Sequence, residues 1–434
     1  MMTANTKEKN TLTYRDFLDT IQETGGNWLS SFKKKSHERF SAIGFPTKKN
    51  EDWKYIGLDP ILNFPIAESK SAVKDVSLKS YFLDGKDHNR VVFVNGNYSD
   101  SLSQTSKGNS FTLERLNSAV SNPALKTYLD KDLEQETNPF ALINGFRFQD
   151  GVYVHIPKNE SPKEPIHLIL SQLPGDARPT DLRIVVVLEE NSSAEIVFDH
   201  LGLSEHAYFE NVVTEIHLGK GARLEWLNLT RESKNGFHFH TIRAFQSENS
   251  RLDALFFSQG GAITRNETLT RFQGKNASCD LKGLSLLDNA SQIYNLVTVD
   301  HTVGHCTSRQ LFKNILAGKT KSEINSLVHM HPDAQKSDSH QLIRNLLLSR
   351  DAQAYSRPQL KIHADDVKAT HGATTGQLSK QELFYLKSRG LNEKQARFML
   401  TYGFAEEVVE QIAFPSIRSQ IEAMVEKEIK EIVD

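Results

Sequence analysis

The chain has 434 residues, 38% hydrophobic and 24% charged, with a formal net charge of −2. That balance leaves no basic field to hold a nucleic-acid backbone, so the partners it allows are proteins or small molecules. The only cysteines, Cys279 and Cys306, exclude a disulfide framework and cannot supply the four thiolates typical of a resident iron–sulfur cluster.

The stretch Met1–Asn10 is polar and has no apolar core, which predicts no secretory signal. Apolar runs such as Ile184–Leu188 fall far short of the ~20 residues a membrane-spanning helix needs, so a cytoplasmic protein is expected. From about Leu12 to Leu62 the pattern is helical. Phe17, Ile21, Trp28 and Leu29 fall near a 3.6-residue period, and Pro46 interrupts it before Glu51-Asp52-Trp53-Lys54-Tyr55.

From about Val91 to Val367 the pattern becomes strand-like. Val91–Val94 ends at Asn95-Gly96, a turn signal, and Arg183–Leu188 is a β-branched run that needs burial on both faces. Ser193–Val197 then resembles Gly221–Trp226, which resembles Asn249–Ala254 and Asn276–Leu281, at spacings of about 28, 28 and 27 residues. Each unit starts with small or turn-forming residues and passes into an alternating strand. Strand repeats of this length predict a solenoid whose coils share one core. A β-sandwich with evenly spaced hairpins also yields short strands and turns; the near-constant register of the small-residue starts favours the solenoid.

From Gln377 the period turns helical. Ser379 with Glu382 predicts a capping box, and Gly390 a stop. Asn392 is placed to cap a second helix carrying Ala396, Met399 and Leu400, with Gly403 as its expected end. After Pro415 a third helix lines up Ile417, Ile421, Met424, Val425, Ile429 and Ile432 on one face. The predicted organisation is a helical N-terminal region over 1–80, a β core over 81–367 and a small helical domain over 368–434.

Nucleotide chemistry is missing. Ala317-Gly318-Lys319-Thr320 carries the Gly-Lys-Thr ending of a phosphate-binding loop, but Lys313 stands where the leading glycine is required. No Cys-x-x-Cys, His-Glu-x-x-His or dinucleotide fingerprint occurs, so any ATP hydrolysis must come from another chain. The candidate ligands are histidines. His329 and His331, two apart, share one face of a strand, and a same-face imidazole pair can chelate zinc or iron. His340, His363 and His371 follow. The same residues also fit hydrogen-bonded histidines on strand faces. Asp365 and Asp366, adjacent on a strand, would point to opposite faces; they are expected to finish a strand and satisfy turn N–H groups rather than act as an acid/base pair.

Several blocks occur together and in order: Gly44-Phe45-Pro46-Thr47-Lys48-Lys49-Asn50-Glu51-Asp52-Trp53-Lys54-Tyr55, Phe93-Val94-Asn95-Gly96, Arg344–Leu348, Arg357–Ile362, Asp365-Asp366-Val367 with His371-Gly372-Ala373-Thr374, and Phe384–Gly390. They resemble the SufB/SufD family of the SUF iron–sulfur cluster assembly machinery. Gly372 directly after His371 is similar to the SufD branch, where SufB has a glutamate. The resemblance implies a mainly β fold, a right-handed parallel β-helix flanked by helical N- and C-terminal regions. It implies a non-catalytic scaffold, not an enzyme, that supports cluster assembly and iron acquisition. Such a subunit pairs with SufB through the β-helices and docks SufC, an ABC-type ATPase, with its C-terminal helices. Phe398, Met399, Phe404 and Phe414 offer apolar anchors for that docking. No cofactor of its own is implied, only a transient iron–sulfur cluster shared with SufB. His371 is the metal-site residue the resemblance carries over, at the SufB–SufD interface near a SufB cysteine. Many relatives have cysteine two positions before this histidine; this chain has Ala369, which removes the local thiol. Other assemblies and classes remain open at this point: a homodimer in isolation, a β-helix enzyme acting on polysaccharide, and a self-associating scaffold holding a metal or flavin, although no flavin fingerprint occurs.

Overall fold

A computed structural model describes residues 13–18, 28–66, 78–83, 89–106, 110–129, 131–174, 178–412 and 415–433. Met1–Asn10, Ile21 and Phe414, which figure in the sequence argument, lie outside these.

The chain opens with helices α1 (Tyr14–Leu18), α2 (Trp28–Ile43) and α3 (Asp59–Leu62), followed by β1 (Arg90–Val94) and β2 (Asn97–Tyr98), a hairpin turned at Asn95-Gly96. Next come β3 (Thr112–Arg115), α4 (Leu116–Ala119), α5 (Pro123–Leu129) and α6 (Pro139–Arg147). α6 falls inside the span assigned to strands from sequence. Its apolar run Phe140-Ala141-Leu142-Ile143 suits either state, but Pro139 opens the first turn and the Asn138 side chain accepts the Phe140 N–H at 2.9 Å, which starts a helix.

An unbroken series of strands then begins: β4 (Asp150–Ile156), β5 (Ile166–Gln172), β6 (Thr180–Leu188), β7 (Ser193–Gly202), β8 (Tyr208–Leu218), β9 (Arg223–Arg231), β10 (Gly236–Gln246) and β11 (Arg251–Gln259). It continues through β12 (Ile263–Phe272), β13 (Ser278–Leu287), β14 (Gln292–His301), β15 (Thr307–Leu316), β16 (Lys321–Met330), β17 (Asp338–Leu347), β18 (Gln353–Ile362) and β19 (Lys368–Gly376). Odd strands stack in one sheet, ordered β19-β17-β15-β13-β11-β9-β7-β5-β1-β2; even strands stack in the other, ordered β18-β16-β14-β12-β10-β8-β6-β4-β3. From β4 and β5 onward every neighbour pairs parallel, the arrangement of a β-solenoid with two strands per coil. Alternate residues point inward. Ile196, Phe198, Leu224, Trp226, Ala254 and Phe256 of the odd sheet meet Val212, Ile216, Ile242, Ala244, Val297 and Val299 of the even sheet in one continuous core.

The repeat anticipated from sequence is this coil, with one adjustment. Ser193 pairs with Arg223, 30 residues on, where matching the small-residue starts gave about 28. The next steps, Arg223 to Arg251 and Arg251 to Ser278, are 28 and 27 residues. A shift of two keeps every side chain on its own face, which is why pattern matching tolerated it. The Gly318-Lys319-Thr320 sequence is a solenoid corner. Gly318 has φ +60°, and a Cβ there would come within 2.6 Å of the Asn289 carbonyl of the preceding coil.

Both sheets are partly covered on the outside. The Glu51–Tyr55 segment lies across the even sheet. Trp53 is buried with Phe140, Phe209, Phe239, Tyr294 and Leu296, and the Arg265 guanidinium sits 3.6 Å from its ring centroid. The Asp52 carbonyl accepts from Arg265 and the Asp52 carboxylate from Asn325, both at 2.9 Å. The Tyr55 carbonyl accepts from Tyr294 and Lys321, and its ring stacks on Tyr355 at 4.4 Å. This signature block is therefore a clamp spanning β12 to β18.

The odd sheet is covered by C-terminal helices: α7 (Lys380–Ser388), α8 (Glu393–Val409) and α9 (Pro415–Val433). Ala405, Val408, Val409, Ile417, Ile421, Val425 and Ile429 pack on Leu227, Leu229, Leu255, Phe257, Leu284, Leu286 and Ile315. α7 ends as expected at Gly390, whose φ is +93°, and α8 begins in a complete capping box of Asn392 with Gln395. Gly403 does not end α8, which runs six residues further to Val409. An interior glycine costs about 1 kcal/mol, which burial of Ala405, Val408 and Val409 readily offsets. The β ladder also passes the expected 367/368 boundary, since β19 still pairs with β17 up to Gly376. No helix among the described residues is long and apolar enough to cross a membrane.

Replacing Trp53 by Ala should lower unfolding free energy by about 3–5 kcal/mol, as for other buried Trp truncations. Urea denaturation checks this; a loss below ~1 kcal/mol would mean that the clamp does not bear on the fold.

Candidate functional site

Among the described residues, the β18/β19 end of the solenoid is bare. β18 and β19 are the terminal strands of the two sheets, each paired on one side only. The preceding strands β16 and β17 bury most of their inward residues, but the same rows are half-buried in β18 and largely exposed in β19, because among the described residues no further coil covers them. Ile362 is 41% exposed although its register partner Met330 is fully buried. This end presents two free hydrogen-bonding edges around a partly apolar mouth.

His371 lies on β19 in register with Gln341, on the row that faces inward in the coil below, and it is exposed. Ala369, two residues earlier on that row, packs against the solenoid core. Asp365 and Asp366 occupy the turn between β18 and β19. There the Asp366 carbonyl accepts the Lys336 N–H at 2.6 Å, its N–H donates to Gln335 Oε1 at 2.9 Å, and its carboxylate pairs with Lys336. They finish a turn, as anticipated, although it is the backbone of Asp366 that makes the turn bonds. Neither cysteine is on the terminal strands: Cys279 on β13 lies three strands below Ala369 in the register, and Cys306 lies in the turn before β15. Cys279 and Cys306 are buried, and burial raises the Cys279 thiol well above its ordinary value and the Cys306 thiol to about 11. Neither is a thiolate near neutral pH.

His329 and His331 do share a face, with ring centroids 4.0 Å apart, and they are joined there by Asp300 and His363. This cluster is on the outer surface of the even sheet. His340 sits apart on the odd sheet, its Nδ1 2.6 Å from Thr370 Oγ1.

A second histidine cluster, which spacing alone did not single out, lies inside the solenoid. His200 on β7, Glu210 on β8 and His238 and His240 on β10 are all buried. His238 Nδ1 lies 3.0 Å from Glu210 and 3.1 Å from Glu232. Glu232 also accepts from Tyr208, whose phenol fits against Gly202 and Gly236 where a Cβ would clash. Burial disfavours charge on His238, but the hydrogen bonds and charges of the two glutamates outweigh it and raise the ring to about 9. Burial, reinforced by the His238 charge, lowers His200 to about 3, and His240 is held well below its ordinary value by burial and both neighbours. The network holds His238 between Glu210 and Glu232, which favours its charged form, while burial favours the neutral form of His200 and His240. Its only signal in the sequence is the even parity of 200, 210, 238 and 240 on strands whose even positions carry the core.

The C-terminal helices keep apolar surface in the open. On α7, Phe384 is 75% and Tyr385 55% exposed, and on α8 Met399 is 49% exposed. Of the anchors proposed from sequence, Met399 fits, whereas Phe398 and Phe404 are partly buried against the helices and the odd sheet. Spacing could not separate these roles, because both faces of α8 carry large apolar residues.

Residues 175–404 match the SufBD core domain of the SUF system for FeS cluster assembly, and residues 4–168 match the SufBD protein N-terminal region. The chain is 27% identical to the iron–sulfur cluster assembly protein SufD of Escherichia coli, over 88% of this chain and 89% of that one. It is 28% identical to a SufBD family iron–sulfur cluster assembly protein of Synechocystis, over 92% and 91% of the two chains. It is 24% identical to SufD of Bacillus subtilis over 67% of this chain and 65% of that one.

The buried histidines set a pH dependence with two limbs. His238 is raised, so its stabilisation is present below the unfolded value near 6.5 and is lost as pH climbs through about 9. His200 and His217, held at about 3, and His301, at about 4, are buried neutral; their contribution is present above pH ~6.5 and falls as acid protonates the unfolded chain. Each limb can reach about 1.4 kcal/mol per pH unit per group. Thermal unfolding should therefore peak near neutrality, and His238→Gln should flatten the alkaline limb. An unchanged alkaline limb in that variant would assign it to other groups.

Proposed function

The chain belongs to the SufBD family of SUF iron–sulfur cluster assembly proteins, and we propose that it serves there as a SufD-type scaffold subunit without catalysis of its own. The bare end of the solenoid carries this reading. Natural sheets cover, charge or shorten their edges, and two long parallel edges left open side by side invite strand addition from a partner. SufB, built on the same coil, can continue both sheets across β18 and β19. A second copy of this chain could use the same edges, which makes a homodimer the assembly to expect when SufB is missing.

His371 would then stand at the seam. Opposite a SufB thiolate, its imidazole can ligate iron of a nascent cluster or hydrogen-bond the sulfur and adjust its basicity. The cluster is cargo, shared across the seam and passed on. With Ala369 two residues away and both cysteines buried, this subunit brings imidazole to the site and the sulfur ligands come from its partner.

SufC docking falls to the C-terminal helices. Phe384, Tyr385 and Met399 form an exposed apolar set on a short, well-capped helix pair, the kind of anchors that seat in a groove on a partner. ATP binding and release by SufC would move these helices. Because α8 and α9 pack on the odd sheet, such a movement can reach the coils beside the seam.

Deleting the helices would strip the apolar face of the odd sheet, so substitutions on the exposed surface make the cleaner test. In co-expression with SufB and SufC, the double variant Phe384→Ala, Tyr385→Ala should lose at least ~10-fold in SufC retention, a change of about 1.4 kcal/mol, and keep SufB. Undiminished SufC would overturn the docking assignment. His371→Ala should leave the three-subunit complex intact and lower its iron and sulfide content; dissociation instead would mean that His371 only braces the seam.

A further inference from the structure

The scaffold role makes no use of the histidines on the outside of the even sheet. Register sets Asp300 of β14 directly beside His329 of β16, and His331 follows two residues later on the same outward row. Asp300 Oδ1 is 2.7 Å from His331 Nε2 and 3.4 Å from His329 Nδ1. One donor atom from each of the three lies within 4.8 Å of the other two. His363 of the next coil brings its ring to 5.5 Å from that of His329.

The carboxylate is held in position. Its Oδ2 accepts from Arg271 Nε at 2.8 Å, and Arg271 is fixed in turn by Asp132 at 2.9 Å, which leaves Oδ1 turned to the two rings. His331 is pinned by its backbone: its N–H donates to the His301 carbonyl at 3.0 Å, and its carbonyl accepts from Ala334 at 2.9 Å. Solvent reaches the rings, since the His329 and His331 side chains are 21% and 37% exposed and Asp300 is 11% exposed. Alongside runs a polar cleft of about 390 Å³, lined by Arg271, Thr298, Leu327 and Gln359, with Thr298 and Leu327 two residues before Asp300 and His329.

We propose that Asp300, His329 and His331 bind a divalent first-row transition-metal ion, with His363 in reach as a further donor. Two imidazoles and one carboxylate on one side of an ion leave its other positions open. With metal–ligand bonds of about 2.1 Å, donors on adjacent positions of such an ion stand roughly 3 Å apart, which the two Asp300 separations already approach. A small turn of one imidazole closes the third edge. The donor set selects among ions. Calcium and magnesium favour all-oxygen shells and copper(I) favours sulfur, whereas mixed imidazole and carboxylate suits Fe²⁺, Co²⁺ or Zn²⁺. Open positions and solvent access make the ion exchangeable. The inward cluster around His238 differs on this point, because it is fully buried and His238 Nδ1 already lies within hydrogen-bond distance of both Glu210 and Glu232.

The site needs no second subunit, so it can be tested on the untagged full-length chain. Under anaerobic conditions, Co²⁺ should bind at one equivalent with the visible absorption of a nitrogen- and oxygen-ligated ion, and Fe²⁺ should compete for it. The double variant His329→Ala, His331→Ala should weaken binding at least ~100-fold and Asp300→Asn at least ~10-fold, each with the circular dichroism spectrum of the wild-type fold. His371→Ala and His340→Ala should bind as the wild type does, which separates this site from the seam. The proposal fails if wild type binds no Co²⁺ in this way, if binding survives the double variant, or if it is lost only in His238→Gln.

Discussion

Seven successive coils of this solenoid turn from the even sheet to the odd sheet at a residue whose backbone is left-handed, and these residues form a column that sets the start of each following strand. Asn159, Asn191, Gly221, Asn249, Asn276, His305 and Lys336 all have φ between 56° and 67°. The N–H of Asn159 donates to the carbonyl just before Asn191, that of Asn191 to the carbonyl just before Gly221, and Gly221 and Asn249 repeat the pattern. A left-handed backbone costs most residues about 1–2 kcal/mol and costs glycine or asparagine least, so the corners select their residue types. Once a corner is placed, the next strand can start only at one register, and period-two alternation then decides which side chains enter the core.

Two consequences follow for function. A stack of coils has an interior that only another coil can close, so its last strands stay open unless something covers them. In this chain β18 and β19 stay open while each outer face is covered in part, one by the Glu51–Tyr55 clamp and the other by α8 and α9. The open strand edges of this end therefore lie beside the exposed His371. Parallel stacking also aligns residues far apart in sequence on the same outward row. That is how Asp300, His329 and His363, from three successive coils, come to stand around His331 on a surface that no single segment defines.

The coil was legible because small or turn-forming starts recur as Ser193-Ala194, Gly221-Ala222, Asn249-Ser250 and Asn276-Ala277. The His329–His331 pair was legible because alternation guarantees a shared face. Other features depended on contacts that spacing does not carry. Phe398 and Phe404 looked like anchors for a partner but pack at home, while Phe384 and Tyr385 stand in solvent, because the odd sheet takes up one side of the helical tail and not the other. Gly403 looked like a stop and is not one, since burial of the following turn outweighs its propensity. The His238 network stayed hidden because a histidine on a strand reads the same whether it faces water or two glutamates.

From the sequence alone came the solenoid, the helical tail, the absence of a nucleotide-binding loop and the blocks that resemble the SufB/SufD family. These are properties of local pattern: residue period, corner residues and contiguous motifs survive without knowledge of what packs on what. Only the tertiary structure decided which end of the coil stack is open, which aromatic side chains remain exposed and which carboxylates meet which imidazoles. Those outcomes rest on contacts between strands some 30 residues apart and between helices and sheets much further apart, and burial and charge are set by such neighbours rather than by the residue itself.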